Sequence, residues 1–121
     1  MARILYVEDE LDVAALVLAY LADQYTVTHV TTLHAAIAVV SADHDYQAIV
    51  LDLLLPDRVG LRTYMDMFAA VKGFSPPVPI VVLTGTEVVA GLDFPGGGRY
   101  VYKPEALPDN LLTALAAVIS G

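Results

Sequence analysis

Apolar residues recur along this chain in two alternating rhythms. Ile4-Leu5-Tyr6-Val7, Ala48-Ile49-Val50-Leu51 and Ile80-Val81-Val82-Leu83 are short continuous runs without a polar member, the pattern of strands buried on both faces. Between the runs, apolar residues return every three or four positions. Leu11, Ala14, Ala15, Leu18 and Leu21, broadened by Val13, Val17 and Tyr20, predict a first helix. Leu33, Ile37 and Val40 predict a second, with Thr32 as its N-cap. Leu61, Tyr64, Met65 and Phe68 predict a third, closed by Gly73 and Pro76-Pro77, and Leu111, Leu115 and Val118 line a terminal helix whose first turn suits Pro108. Thr26 to Val30 mixes polar and β-branched residues, as in a half-covered strand at a sheet edge, and Tyr100-Val101-Tyr102 is the last strand.

Strand and helix therefore alternate along the whole chain, which reads as five βα units in one domain spanning residues 1–121. The expected class is α/β, a doubly wound five-stranded parallel sheet. One interval breaks the rhythm. Between Thr84 and Lys103 only Glu87 to Leu92 suits a helix, and Gly91, Pro95 and Gly96-Gly97-Gly98 make a long one unfavourable. The fourth helix is expected to be short or degenerate.

Composition narrows the function classes. The 121 residues are 57% hydrophobic and 17% charged, enough to bury a core without staples, and no cysteine is present for thiol or disulfide chemistry. Fourteen acidic against six basic residues leave a net charge of −8, which argues against direct nucleic-acid binding by this domain. No apolar run approaches the roughly 20 residues that cross a bilayer. The run after Arg3 stops at an acid cluster, unlike a secretory leader. The expectation is a cytoplasmic protein with no membrane association.

The candidate chemistry lies where buried runs end. Ile4 to Val7 leads into Glu8-Asp9-Glu10, and Ala48 to Leu51 ends on Asp52. In an open parallel sheet the carboxyl ends of neighbouring strands share one crevice, so Glu8, Asp9 and Asp52 are expected to converge. Adjacent carboxylates repel unless a cation sits among them, which points to a divalent metal. Glu8 to Glu10 also suits an acidic helix start, and the two readings are compatible. His29, His34 and His44 share no ligand spacing and read as solvated or edge residues.

Taken in order, Glu8-Asp9, Asp52 within Leu51-Asp52-Leu53-Leu54-Leu55-Pro56-Asp57 with Gly60 following, Thr84 in Leu83-Thr84-Gly85, and Lys103 in Tyr102-Lys103-Pro104 resemble the receiver domains of two-component response regulators. The likeness covers essentially the full length. It implies the flavodoxin-like strand order 2-1-3-4-5. It also implies that Asp52 accepts a phosphoryl group from a phosphohistidine, assisted by Thr84 and Lys103. Asp9 and Asp52 are then expected to bind Mg²⁺ directly, Glu8 through water, and Leu54 through its backbone carbonyl. Thr84 and Tyr100 become the switch pair. The implied partner is a sensor histidine kinase or phosphotransfer protein. Separately, Val88, Val89, Leu92 and Phe94 add apolar surface near the last strand that suits either a homodimer mate or output domain or, equally, the lining of a core covered on both faces.

Plainer readings exist for each residue: a turn acid at Asp52, a snorkelling Lys103, a β-branched strand end at Thr84, a core tyrosine at Tyr100. The sequence departs from the family pattern at Val59, where many relatives carry an acid before the glycine, and in the shortened, glycine-rich interval before Lys103. Leu54, two residues after Asp52, stands where the family tunes loss of the phosphoryl group. An aspartate-nucleophile phosphatase is the less favoured alternative, because such enzymes want an acid at Leu54. A flavin-binding protein would place its phosphate loop where Glu8-Asp9-Glu10 repels anions. A receiver-like scaffold acting without phosphorylation stays open. The domain is not expected to be an enzyme beyond its own phosphorylation and dephosphorylation.

Overall fold

The computed structural model describes residues 1–75, 77–84, 99–102 and 109–120, with the backbone alone for Thr84, 99–102, Asp109 and Ser120. Its elements in chain order are β1 (Ala2–Val7), α1 (Leu11–Leu21), β2 (Tyr25–Val30), α2 (Leu33–Ala42), β3 (Ala48–Leu51), β4 (Leu54–Leu55), β5 (Arg58–Val59), α3 (Leu61–Val71), β6 (Ile80–Thr84), β7 (Arg99–Tyr102) and α4 (Asp109–Ser120). Five strands form one parallel sheet in the order β2-β1-β3-β6-β7. With the small β4–β5 hairpin set aside, this is the expected 2-1-3-4-5 order. The expected fourth-helix segment, Glu87 to Leu92, and Pro108 lie outside the described residues.

Pleating divides the buried runs between two cores, because successive side chains on a strand point to opposite faces. Leu5, Val7, Ile49, Leu51, Ile80 and Val82 pack with Leu33, Ala36 and Val40 of α2 and Tyr64, Met67 and Val71 of α3. Ile4, Tyr6, Ala48, Val50, Val81 and Leu83 pack with Ala14, Val17 and Leu21 of α1 and Leu111 and Leu115 of α4. Both faces of the sheet are covered, which is why these strands carry no polar position.

Two helix faces are turned relative to the sequence expectation. In α1 the buried positions are Ala14, Val17 and Leu21, while Leu11 is 67% exposed and Ala15 also faces water. In α3 they are Thr63, Tyr64, Met67 and Val71, with Leu61 and Met65 exposed. Thr63 is buried because its hydroxyl donates to the Leu53 carbonyl at 3.2 Å, which satisfies the polar group locally. A threonine at that position hides the true face from a count of apolar residues.

The ends of α2 and α3 are set by particular side chains. The Thr32 hydroxyl accepts from the Ala35 amide at 3.0 Å, as the sequence suggests for an N-cap. Asp57, from the turn between β4 and β5, accepts from the Leu33 and His34 amides, both at 2.9 Å. Gly60 precedes α3 at φ +77°, a conformation costly for any residue with a Cβ, and its amide donates to the Leu53 carbonyl at 2.7 Å. These contacts fasten the segment after β3 to both helices on that face. At the other end of the sheet, Arg3 holds Asp43 at 2.9 Å and lies over the Tyr46 ring.

Candidate functional site

The strand order changes direction between β1 and β3: the chain steps from β1 outward to β2 on one side, and from β3 through β6 to β7 on the other. The carboxyl ends of β1 and β3 meet at that point, where an open α/β sheet leaves a crevice. Val7 pairs with Leu51, so the next residues on the two strands, Glu8 and Asp52, leave the sheet side by side. Their amides remain tied to it. Glu8 N–H donates to the Val30 carbonyl at 3.0 Å and Asp52 N–H to the Val7 carbonyl at 3.1 Å.

Glu8, Asp9 and Asp52 come together as expected, each offering an oxygen within 4.8 Å of the others. Glu8 is fully buried and Asp52 is 2% exposed, an unusual place for two carboxylates in an apolar sheet. The Leu54 amide donates to Asp52 Oδ1 at 2.9 Å and the Glu10 amide to Glu8 Oε2 at 3.3 Å. Asp9 Oδ1 is buried and has no hydrogen-bond partner among the described residues. Hard oxygen donors at this spacing, one of them unused, fit a small divalent cation such as magnesium.

Two residues that the sequence reading did not assign to the site support it. Tyr6 lies two positions before Glu8 on the same face of β1, fully buried. Burial, reinforced by the negative charges of Glu8 and Asp52, raises its phenol well above the ordinary range and keeps it neutral. His29 sits opposite Tyr6 in the β1–β2 register, with ring centroids 5.4 Å apart. Its Nε2 lies 2.8 Å from the Glu8 carbonyl and, facing an acceptor, donates. His29 is on the edge strand as expected, but it also secures the turn that carries Glu8 and Asp9. The signal available in sequence was parity for Tyr6; for His29 it was a cross-strand pairing that no single segment reveals.

Thr84 closes β6, paired through the backbone with Tyr102 of β7, and Tyr100 pairs with Val82. Thr84 thus ends the strand beside β3, at the same edge of the sheet as Asp52. Lys103 and Pro104 lie outside the described residues, as do Val88, Val89, Leu92 and Phe94. His34 and His44 are exposed, His44 stacking on Phe74 at 3.9 Å, and neither approaches the acidic cluster by any described contact.

The family model of the response regulator receiver domain matches residues 4–116. This chain belongs to that family. The receiver domain is 37% identical over 112 residues to the transcriptional regulatory protein BasR of Escherichia coli, a match covering 88% of this chain and 48% of BasR. It is 36% identical over 121 residues to the transcriptional regulatory protein TcrA of Mycobacterium tuberculosis, covering 96% of this chain and 45% of TcrA. The receiver domain spans about half the length of these relatives. Among solved structures, the response regulator TrrA of Thermotoga maritima in complex with Mg²⁺-BeF superposes with a TM-score of 0.80 at 22% identity, covering 98% of this chain and 99% of that one. That likeness shows the shared fold.

Proposed function

We propose that residues 1–121 act as a phospho-accepting receiver unit, in which Asp52 takes a phosphoryl group from the phosphohistidine of a sensor kinase or phosphotransfer protein. The observation that carries this reading is the convergence of Glu8, Asp9 and Asp52 within 4.8 Å at the crevice of a receiver-family sheet. An Asp52 carboxylate oxygen attacks phosphorus, the new O–P bond forming as the P–N bond to the donor imidazole breaks. The Leu54 amide, 2.9 Å from Oδ1, fixes the orientation of the attacking carboxylate in advance.

Glu8, Asp9 and Asp52, with the Leu54 carbonyl, are the residues that would hold Mg²⁺, which supplies charge neutralisation for carboxylates and phosphoryl oxygens brought together. Thr84, at the end of β6, is assigned to hydrogen-bond the transferred group. Lys103 is assigned to neutralise it, and Tyr100 to report the change with Thr84. New bonds to the phosphoryl group favour one conformer over another only by their difference in strength between the two.

Acetyl phosphate with Mg²⁺, followed by intact mass, tests the reading. The expected result is a gain of one phosphoryl group that chelation of Mg²⁺ or Asp52→Asn abolishes. Uptake by Asp52→Asn equal to wild type, or no uptake by a folded wild-type chain, overturns it.

A further inference from the structure

Tyr6 places a hydroxyl where its neighbours in the sheet carry only hydrocarbon. Among the buried runs Ile4 to Val7, Ala48 to Leu51 and Ile80 to Leu83 it is the one residue whose side chain has a polar atom. The residue is fully buried, packed in the core that includes Ala14, Val17 and Leu21 of α1, and its hydroxyl has no hydrogen-bond partner among the described residues. A buried hydroxyl whose bond is unmade costs more than no hydroxyl at all, so phenylalanine would serve better here if packing were the only task.

Position and charge tie this hydroxyl to the acidic cluster. Tyr6 pairs with Val50 across β1 and β3, and two residues further along each chain stand Glu8 and Asp52, on the same side of the pleat. The charges of both carboxylates act on the phenol. Its ring has little freedom to turn elsewhere, being fully buried and 5.4 Å from the ring of His29, which in turn holds the Glu8 carbonyl at 2.8 Å. Asp9 Oδ1, also buried, is likewise without a hydrogen-bond partner among the described residues. A hydrated cation offers partners to both groups. Mg²⁺ sheds water reluctantly and enters protein sites with several molecules still attached, each able to bridge to a polar atom.

We infer that Tyr6 is a positioning residue of the cation site, its hydroxyl hydrogen-bonding a water that Mg²⁺ keeps when Glu8, Asp9 and Asp52 bind it. This rests on the reading of that cluster as a Mg²⁺ site. The hydroxyl touches neither the ion nor the transferred phosphorus; it anchors the ion's hydration shell to β1. Because the bond forms only on binding, it adds to affinity for the cation and not to the stability of the metal-free chain.

Tyr6→Phe removes the hydroxyl and keeps the ring, and Tyr46→Phe, whose hydroxyl donates to Thr28 Oγ1 at 3.0 Å, is the control. Isothermal titration calorimetry measures Mg²⁺ affinity. Near-ultraviolet difference absorbance follows the phenols, free of indole overlap because the chain has no tryptophan. The wild type is expected to bind Mg²⁺ with a tyrosine difference band. In Tyr6→Phe the dissociation constant rises about threefold to tenfold and the band is lost, while thermal melts without Mg²⁺ stay level with wild type or above it. Tyr46→Phe keeps the wild-type affinity and band. Equal affinity in Tyr6→Phe, a band that persists in it, or an equal loss in Tyr46→Phe overturns this inference alone and leaves the cation site standing. A wild type that does not bind Mg²⁺ overturns both. Should Tyr6→Phe fail to fold, the wild type decides: a phenol spectrum unmoved at saturating Mg²⁺ overturns the inference, and a shifted one supports it.

Discussion

Asp52 is oriented by a backbone amide, that of Leu54, so no substitution other than proline at position 54 removes that bond. The Leu54 side chain is a separate matter. It is half-exposed two residues after Asp52, and under the proposed phosphoryl-acceptor role it would set apolar surface against water attacking the transferred group. Leu54→Asn is expected to speed loss of the phosphoryl group several-fold, about 1 kcal/mol in barrier, while uptake from acetyl phosphate is retained. Timing the decay by mass checks this, and an unchanged or slower decay counts against it. Gly60 poses a backbone question. A Cβ there meets nothing within 4 Å, so Gly60→Ala isolates the conformational cost of φ +77°. A loss of about 1–2 kcal/mol is expected in urea denaturation, and a neutral result would mean that the turn relaxes. The acids at the ends of β1 and β3 were legible in sequence because parallel strands must deliver their carboxyl ends to one edge. Tyr6 and His29 were not, since their part depends on the register between β1 and β2.

At the scale of elements, the turn between β4 and β5 and the start of α2 form one unit through Asp57. Partial burial works to raise the Asp57 pKa, but the amides of His34 and Leu33 outweigh it, and the carboxyl titrates below its ordinary value. A depressed folded-state pKa contributes stability above the unfolded value, and that contribution is lost as pH falls through the folded one. Asp57→Ala is therefore expected to cost about 1 kcal/mol at neutral pH, as for removal of a helix cap. The gap from wild type should close as pH drops below the carboxylate range. Urea melts at the two pH values decide it; a gap that persists in acid would assign the cost to something other than the charge. Element types and their order could be read from periodicity. The buried faces of α1 and α3 were harder. Both helices carry apolar residues on more than one side, and a hydroxyl bonded to a nearby carbonyl let Thr63 occupy a core position.

For the whole molecule, three carboxylates gathered at the crevice set up a mutual repulsion that a bound cation relieves. Mg²⁺ in hundredfold excess over its dissociation constant is expected to raise unfolding stability by about 2.7 kcal/mol. EDTA should remove the gain, and Glu8→Gln or Asp9→Asn should diminish it. Calorimetric melts showing no dependence on Mg²⁺ would deny the cluster that role. The two-sided core has a further bearing on how the chain tolerates change in length. Tyr6, Glu8, Val50 and Asp52 share one side of the pleat only because each strand keeps its count from the Ile4–Ala48 pairing onward. Deleting one residue inside Ala48–Leu51 would invert everything beyond it, turning Asp52 toward α2 and α3 and feeding a leucine to the crevice. Additions are better absorbed where no strand register must be kept, as in the exposed turn from Ala22 to Gln24 between α1 and β2. A turn such as Ala22 to Gln24 is free to drift in length, whereas the paired strands inherit a fixed arithmetic.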